Sequence, residues 1–254
     1  MAGHSKWAKV KHYKGIADAK RGQMFSKIAK EIAVACKAGG GDPGFNPRLR
    51  TILLKARAVN MPADNIDRAI KKGTGELPGV VYEEVTYEGY APGGVALLVE
   101  VLTDNKNRAA SEIRTIFTRQ GGHLAGANAV KHLFHRKGHF LVPKSAISED
   151  DLLALVLEAG AEDMAPLDDS FEITTDPHQF EAVHKALEAK GVKPQSAEIS
   201  YLPTTTVPIT DEKAAKAVLG LVEALEDHED VQNVHANFDI PDAVMEKATA
   251  APSA

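Results

Sequence analysis

Lysines interleaved with flat rings crowd the start of the chain: Gly3-His4-Ser5-Lys6-Trp7, then Lys9, then Lys11-His12-Tyr13-Lys14. An ammonium group neutralises a phosphate, and each such contact releases condensed counterions. Trp7 and Tyr13 offer faces on which a base can stack, worth about 1–3 kcal/mol per base. The cations continue as Lys20, Arg21, Lys27 and Lys30, and again as Arg48, Arg50 and Arg57. Between Met1 and Lys37, nine Lys/Arg meet only two acids, Asp18 and Glu31, in a chain whose net charge is −5. Such a set can grip a polyanion, nucleic acid first. The plainer reading is a solvated basic tail anchored by Trp7.

Other candidate chemistry is weaker. His132, His135 and His139 suggest a metal site, but positions three apart on a strand face opposite sides, and no cysteine lies near. Cys36 falls on an apolar stripe and reads as a small core residue, not a nucleophile. The Gly-rich segments at 39–41, 73–75, 93–94 and 121–122 fit no phosphate-loop pattern and read as turns and helix stops. Asp104-Asn105-Lys106-Asn107-Arg108 can cap a helix through Asp104 or Asn105, or present Lys106 and Arg108 to a ligand. The pairs Asp150-Asp151, Asp168-Asp169 and Glu229-Asp230 have no catalytic or calcium-loop spacing. No catalytic residue, cofactor or metal is therefore expected.

Several elements must position these residues. Asp18 to Ala38 predicts a helix, with Phe25, Ile28, Ala29, Ile32 and Cys36 on one stripe and Lys20, Lys27, Lys30 and Lys37 opposite. Asn46-Pro47 starts a second helix running to about Asn60, with Arg48, Arg50, Lys55 and Arg57 outward. Pro62 opens a third, with Gly73 as its stop. From Val80 the period changes. Val81–Tyr90 and Val95–Leu102 predict strands, Asn105–Gln120 a helix and Val130–Phe134 a strand. Phe140–Pro143, Glu149–Ala159, Asp163–Thr175, Pro177–Lys190 and Glu198–Leu202 give the order β-α-β-β-α-β, the ferredoxin-like plan. A helix at Asp211–Asp227 and a strand at Val231–Phe238 remain, and they complete the unit begun at residue 80.

The expected fold is multi-domain α+β: an N-terminal three-helix domain and two ferredoxin-like α/β domains, one inserted in the other. The boundaries are 1–79 for the basic arm and helices, 80–138 plus 204–240 for a discontinuous domain, 139–203 for the insert, and 241–254 for a flexible tail. Charge follows this division. Residues 1–80 carry +10, residues 81–140 carry +1 and residues 141–254 carry −16. One cysteine excludes an internal disulfide framework. No apolar run approaches the roughly 20 residues that span a bilayer, and no secretory h-region opens the chain. A soluble cytoplasmic protein with no membrane partner is expected.

Met1-Ala-Gly-His-Ser-Lys-Trp7 with Lys11-His12, Asp18-Ala-Lys-Arg-Gly22 and Phe25 resembles the start of the YebC/PmpR family. So do Gly39-Gly-Gly-Asp-Pro43, Asn46-Pro-Arg-Leu-Arg50, Asn60-Met-Pro62, Ile66-Asp-Arg-Ala-Ile70, Glu88-Gly-Tyr-Ala-Pro-Gly-Gly94 and Asp104-Asn-Lys-Asn-Arg108. The resemblance spans almost the whole chain. It implies three domains and a cytoplasmic regulator of gene expression without enzymatic activity. Bacterial relatives of that kind are described as DNA-binding transcriptional regulators, and other relatives as ribosome-associated translation activators. Two departures stand out: Tyr13 where relatives often carry Arg, and Gly44-Phe45 in a stretch that is usually more polar.

Three functions follow in order. The first is a regulator binding nucleic acid through the arm and helices, either DNA or ribosomal RNA. The second is an enzyme with a small-molecule site near Tyr90 and Asp104–Arg108, for which the sequence shows no nucleophile and base in reach. The third is a protein-interaction module whose acidic domains meet a ribosome or another basic protein, and it is compatible with the first.

Overall fold

A computed structural model describes residues 18–249, with side chains from residue 21 onward. They pack as two compact units: one runs to Leu133 and resumes at Pro203, and the other is Phe134–Leu202.

The first unit opens with α1 (Asp18–Gly39), α2 (Pro47–Ala58) and α3 (Ala63–Thr74). Ile28, Ile32, Ala35 and Cys36 of α1 bury against Leu49, Ile52 and Ala56 of α2 and Ala69 of α3. Cys36 is thus a core residue, and burial pushes its thiol up from the ordinary value. Asn46 starts α2 in three ways. Its Oδ1 accepts the Leu49 N–H at 3.0 Å, and its Nδ2 donates to the carbonyls of Ala35 at 2.9 Å and Gly40 at 2.8 Å. Gly73 does not stop α3. The helix runs to Thr74, and Gly75 at φ +84° ends it. Gly73 is instead the point of close approach to α1, because a Cβ there would lie 2.6 Å from the Ala33 carbonyl and from Cys36 Cβ.

A sheet follows: β1 (Glu83–Ala91), β2 (Val95–Thr103), the helix α4 (Lys106–Arg119) and β3 (His123–Leu124). After the second unit come β8 (Val207–Pro208), α7 (Glu212–Glu226), β9 (Val231–Ala236), β10 (Phe238–Asp239) and α8 (Asp242–Thr249). The strand order is β3-β1-β2-β9, every pair antiparallel. Leu97, Val99 and Val101 share a core with Ile113 and Phe117 of α4 and with Val218, Leu221, Val222 and Leu225 of α7.

The second unit is β4 (Phe134–Pro143), α5 (Glu149–Glu158), β5 (Ala161–Pro166), β6 (Ser170–Thr175), α6 (Phe180–Ala189) and β7 (Ser196–Pro203). Its strand order, β5-β6-β4-β7, is the ferredoxin-like order. Phe140 and Phe180 stack in its core at 4.7 Å.

Four expectations change. Val130–Phe134 is not a strand: Lys131–Leu133 is a 3-10 turn, and β4 begins at Phe134, before the expected 140. The cause is the buried Glu88 carboxylate, which accepts N–H groups from Asn128, Val130 and Lys131 at 2.7–2.8 Å. Burial pushes this carboxyl up, but the three N–H groups and the Lys131 charge outweigh it, so it titrates below its ordinary value. The strand expected at 231–238 breaks at Asn237, whose Oδ1 accepts the Ala96 N–H at 2.7 Å, and β10 then pairs in parallel with β8. His123–Leu124 and Val207–Pro208 are strands too short for a periodic signal. Finally, 242–249 is no frayed tail but a helix that buries Met245 in the first core.

Candidate nucleic-acid interface

Lys6, Trp7, Lys9, Lys11, His12, Tyr13 and Lys14 lie outside the described residues, as does the side chain of Lys20. Of the remaining candidates, some are engaged within the fold and some are exposed at its surface.

Lys27 and Lys30 are engaged. Lys27 Nζ donates to the Glu226 carbonyl at 2.5 Å, and Lys30 Nζ donates to Asp230 Oδ1 at 2.7 Å and to the Glu229 carbonyl at 3.1 Å. The lysine side of α1 therefore holds the acidic turn between α7 and β9. Asp230 is the hub of this contact. Its side chain is 2% exposed, and it also accepts from Thr103 Oγ1 at 2.9 Å and Arg108 Nη2 at 2.6 Å. Burial pushes its carboxyl up, but hydrogen bonds from Lys30 and Thr103 and the charges of Lys30 and Arg108 outweigh burial, so it titrates below the ordinary carboxylate value.

The arginine row of α2 divides the same way. Arg48 pairs with Glu84 at the rim, both half exposed. Arg50 Nη1 donates to the carbonyls of Pro43 at 2.6 Å and Gly44 at 3.0 Å, bracing the α1–α2 loop. Lys55 pairs with Glu31 at 2.7 Å. Arg57 faces water, and Arg21 on α1 is also exposed. Three further exposed cations were not singled out from the sequence: Arg68, Lys71 and Lys72 of α3. Their i, i+3, i+4 spacing places them on one helix face, a signal the sequence carries.

The competing sites dissolve into structure. Asn105 caps α4, its Oδ1 accepting the Asn107 and Arg108 N–H groups at 3.1 Å. Arg108 turns to Asp104 and Asp230, and Lys106 pairs with Glu83. His132 and His135 are exposed, whereas His139 is buried 2.9 Å from Glu172. Among the described residues, no group of His, Cys, Asp or Glu could hold a metal, and no helix is long and apolar enough to cross a membrane.

Two family models together cover most of the chain. The TACO1/YebC N-terminal domain matches residues 5–76, and the TACO1/YebC second and third domain matches residues 82–238. The chain belongs to the TACO1/YebC family. The first model takes in the basic arm together with the three helices, so the family treats them as one domain. A family member from Opitutus terrae, named "Probable transcriptional regulatory protein", is 55% identical over 96% of this chain and 99% of its own. A Treponema pallidum protein of the same name is 56% identical over 96% and 100%. The crystal structure of the conserved hypothetical protein Aq1575 from Aquifex aeolicus is similar with a TM-score of 0.80. It shares 50% identity, over 89% of this chain and 93% of that one.

Proposed function

We propose that the protein is a non-enzymatic, cytoplasmic, nucleic-acid-binding regulator of gene expression. Its arm and helical domain, residues 1–79, carry the contact, and DNA in transcriptional control is the partner. The observation behind this reading is charge segregation: 16 Lys/Arg against 6 Asp/Glu in the first 80 residues of a chain of net −5. The exposed Arg21, Arg57, Arg68, Lys71 and Lys72 extend that charge beyond the arm. The relatives' names support the transcriptional role. Such contacts position a backbone; they do not read sequence.

One observation favours a second reading, a translation factor bound to ribosomal RNA. The exposed cations among the described residues are spread over three helices, whereas a major-groove reader concentrates Arg, Asn or Gln on one helix. In that case the acidic remainder of the chain meets a basic ribosomal protein.

Two measurements test these readings. With about six phosphates contacted, affinity falls on the order of a thousandfold between 50 and 200 mM salt, and deleting residues 1–20 removes most of that slope. A flat salt response contradicts nucleic-acid binding of either kind. Crosslinking in cells, followed by sequencing of both DNA and RNA, separates the two: ribosomal RNA without promoter DNA sinks the transcriptional reading.

A further inference from the structure

The loop joining α1 to α2 holds an aromatic ring out in water. Phe45 is 87% exposed, more than any other large apolar side chain among the described residues. Leaving a phenylalanine exposed forgoes about 2 kcal/mol of burial. The loop beneath it is well tied. Asp42 Oδ1 accepts the Gly44 N–H at 2.7 Å, and the Asp42 carbonyl accepts the N–H groups of Phe45 and Asn46 at 3.1 and 3.0 Å. Arg50 braces the carbonyls of Pro43 and Gly44 from below, and buried Asn46 anchors the far end. The ring therefore stands on a fixed platform.

Cations lie at the same end of the helical domain as that platform, where three helix ends converge. Gly73 brings the end of α3 onto the end of α1, and Gly41 sets the loop against Ile70 and Thr74 of α3, its Cβ position within 3.0 Å of both. Lys37 in the last turn of α1 and Lys71 and Lys72 in the last turn of α3 are exposed, and Arg48 opens α2 three residues after Phe45. The acids at the same end are occupied: Asp42 by the Gly44 N–H, Glu76 by Thr74, Glu84 by Arg48. Lysine is depleted at protein–protein contacts, so exposed lysines at the same end as the ring argue against a protein pocket as its occupant. A flat face with cations at the same end suits an unpaired nucleobase, whose π-face stacks while its phosphates take the charges.

We infer that Phe45 is a base-stacking residue, receiving an unpaired nucleobase of a single strand while Lys37, Arg48, Lys71 and Lys72 take the flanking phosphates. This rests on the nucleic-acid reading above and adds a site on the helical domain to the arm residues named there. Arg48 exchanges Glu84 for phosphate when the strand binds.

The test is fluorescence anisotropy on the full chain with single-stranded RNA and DNA oligonucleotides of about a dozen nucleotides. The same strands made abasic, and a duplex, serve as controls. Phe45→Ala weakens binding of the base-containing strands about five- to a hundredfold, leaves the abasic strands and the duplex unchanged, and leaves the salt slope intact. Phe45→Trp restores the affinity. Because the ring touches little, the thermal midpoints of both variants match the parent. Equal affinity of Phe45→Ala and parent overturns the stacking role while leaving nucleic-acid binding standing. An equal loss on abasic strands, or on the duplex, also overturns it. A parent that binds no strand with a steep salt response overturns both this inference and the reading it rests on.

Discussion

Asp230 shows how one carboxylate fixes the use of several cations. Taken alone, Glu229-Asp230 reads as solvated surface, and Lys30 as a phosphate ligand. The fold brings them to 2.7 Å, adds Thr103 and Arg108, and closes water out. Replacing Asp230 by Asn leaves two cations facing a neutral amide and costs about 2–3 kcal/mol at neutral pH, measured by urea unfolding. The pH dependence has a definite sign. The folded carboxyl titrates below its ordinary 3.8, so its contribution is complete above about pH 4 and is lost as pH falls through the lowered folded value. The difference between parent and Asp230→Asn is therefore constant from pH 5 to 7 and narrows toward pH 3. A constant difference at pH 3 contradicts the assignment. Glu88 titrates in the same window but is common to both proteins, so it cancels.

At the scale of elements, the three helices are packed more tightly than their sequence suggests. Gly73 reads as a stop, yet α1 occupies the place where its side chain would be. Gly73→Ala gains up to about 1 kcal/mol in helix propensity but overpacks the crossing by roughly 1–3. A net loss of about 1–2 kcal/mol in chemical denaturation is expected, and a stabilised variant contradicts the close approach. The segment before β4 teaches the same lesson from the other side. Val130 and Phe134 look like strand residues, but Glu88, some forty positions earlier, draws the backbone N–H groups into a turn. No local window contains that partner. The cationic face of α3 differs again, since Arg68, Lys71 and Lys72 were legible by spacing and needed only a helix-by-helix search.

For the molecule as a whole, the chain is a charge dipole whose basic end is only partly available. Lys27, Lys30 and Arg50 are held by carbonyls and a carboxylate, which leaves, among the described residues, α3 and the loop tip, with Arg48 once it releases Glu84, for an external polyanion. The last helix belongs to this whole. Met245 of α8 is buried beside Val244 and Ala248, so ending the chain at Ile240 exposes that patch. The truncation is expected to cost about 3 kcal/mol and lower the thermal midpoint by several degrees. An unchanged midpoint contradicts a structural role for α8. The sequence by itself determined the periodic elements, the α+β class, the core stripe through Ile28 and Ile32, the Asn46 cap, a second cap at Asp104 or Asn105 and the location of the basic charge. Periodicity, caps and charge are properties of short windows. Only the tertiary structure decided which lysines are engaged, why Gly73 is a glycine, where β4 begins and that Phe45 is held outward. Each depends on a partner from a distant segment, or on the absence of one, and burial is conferred by the fold as a whole.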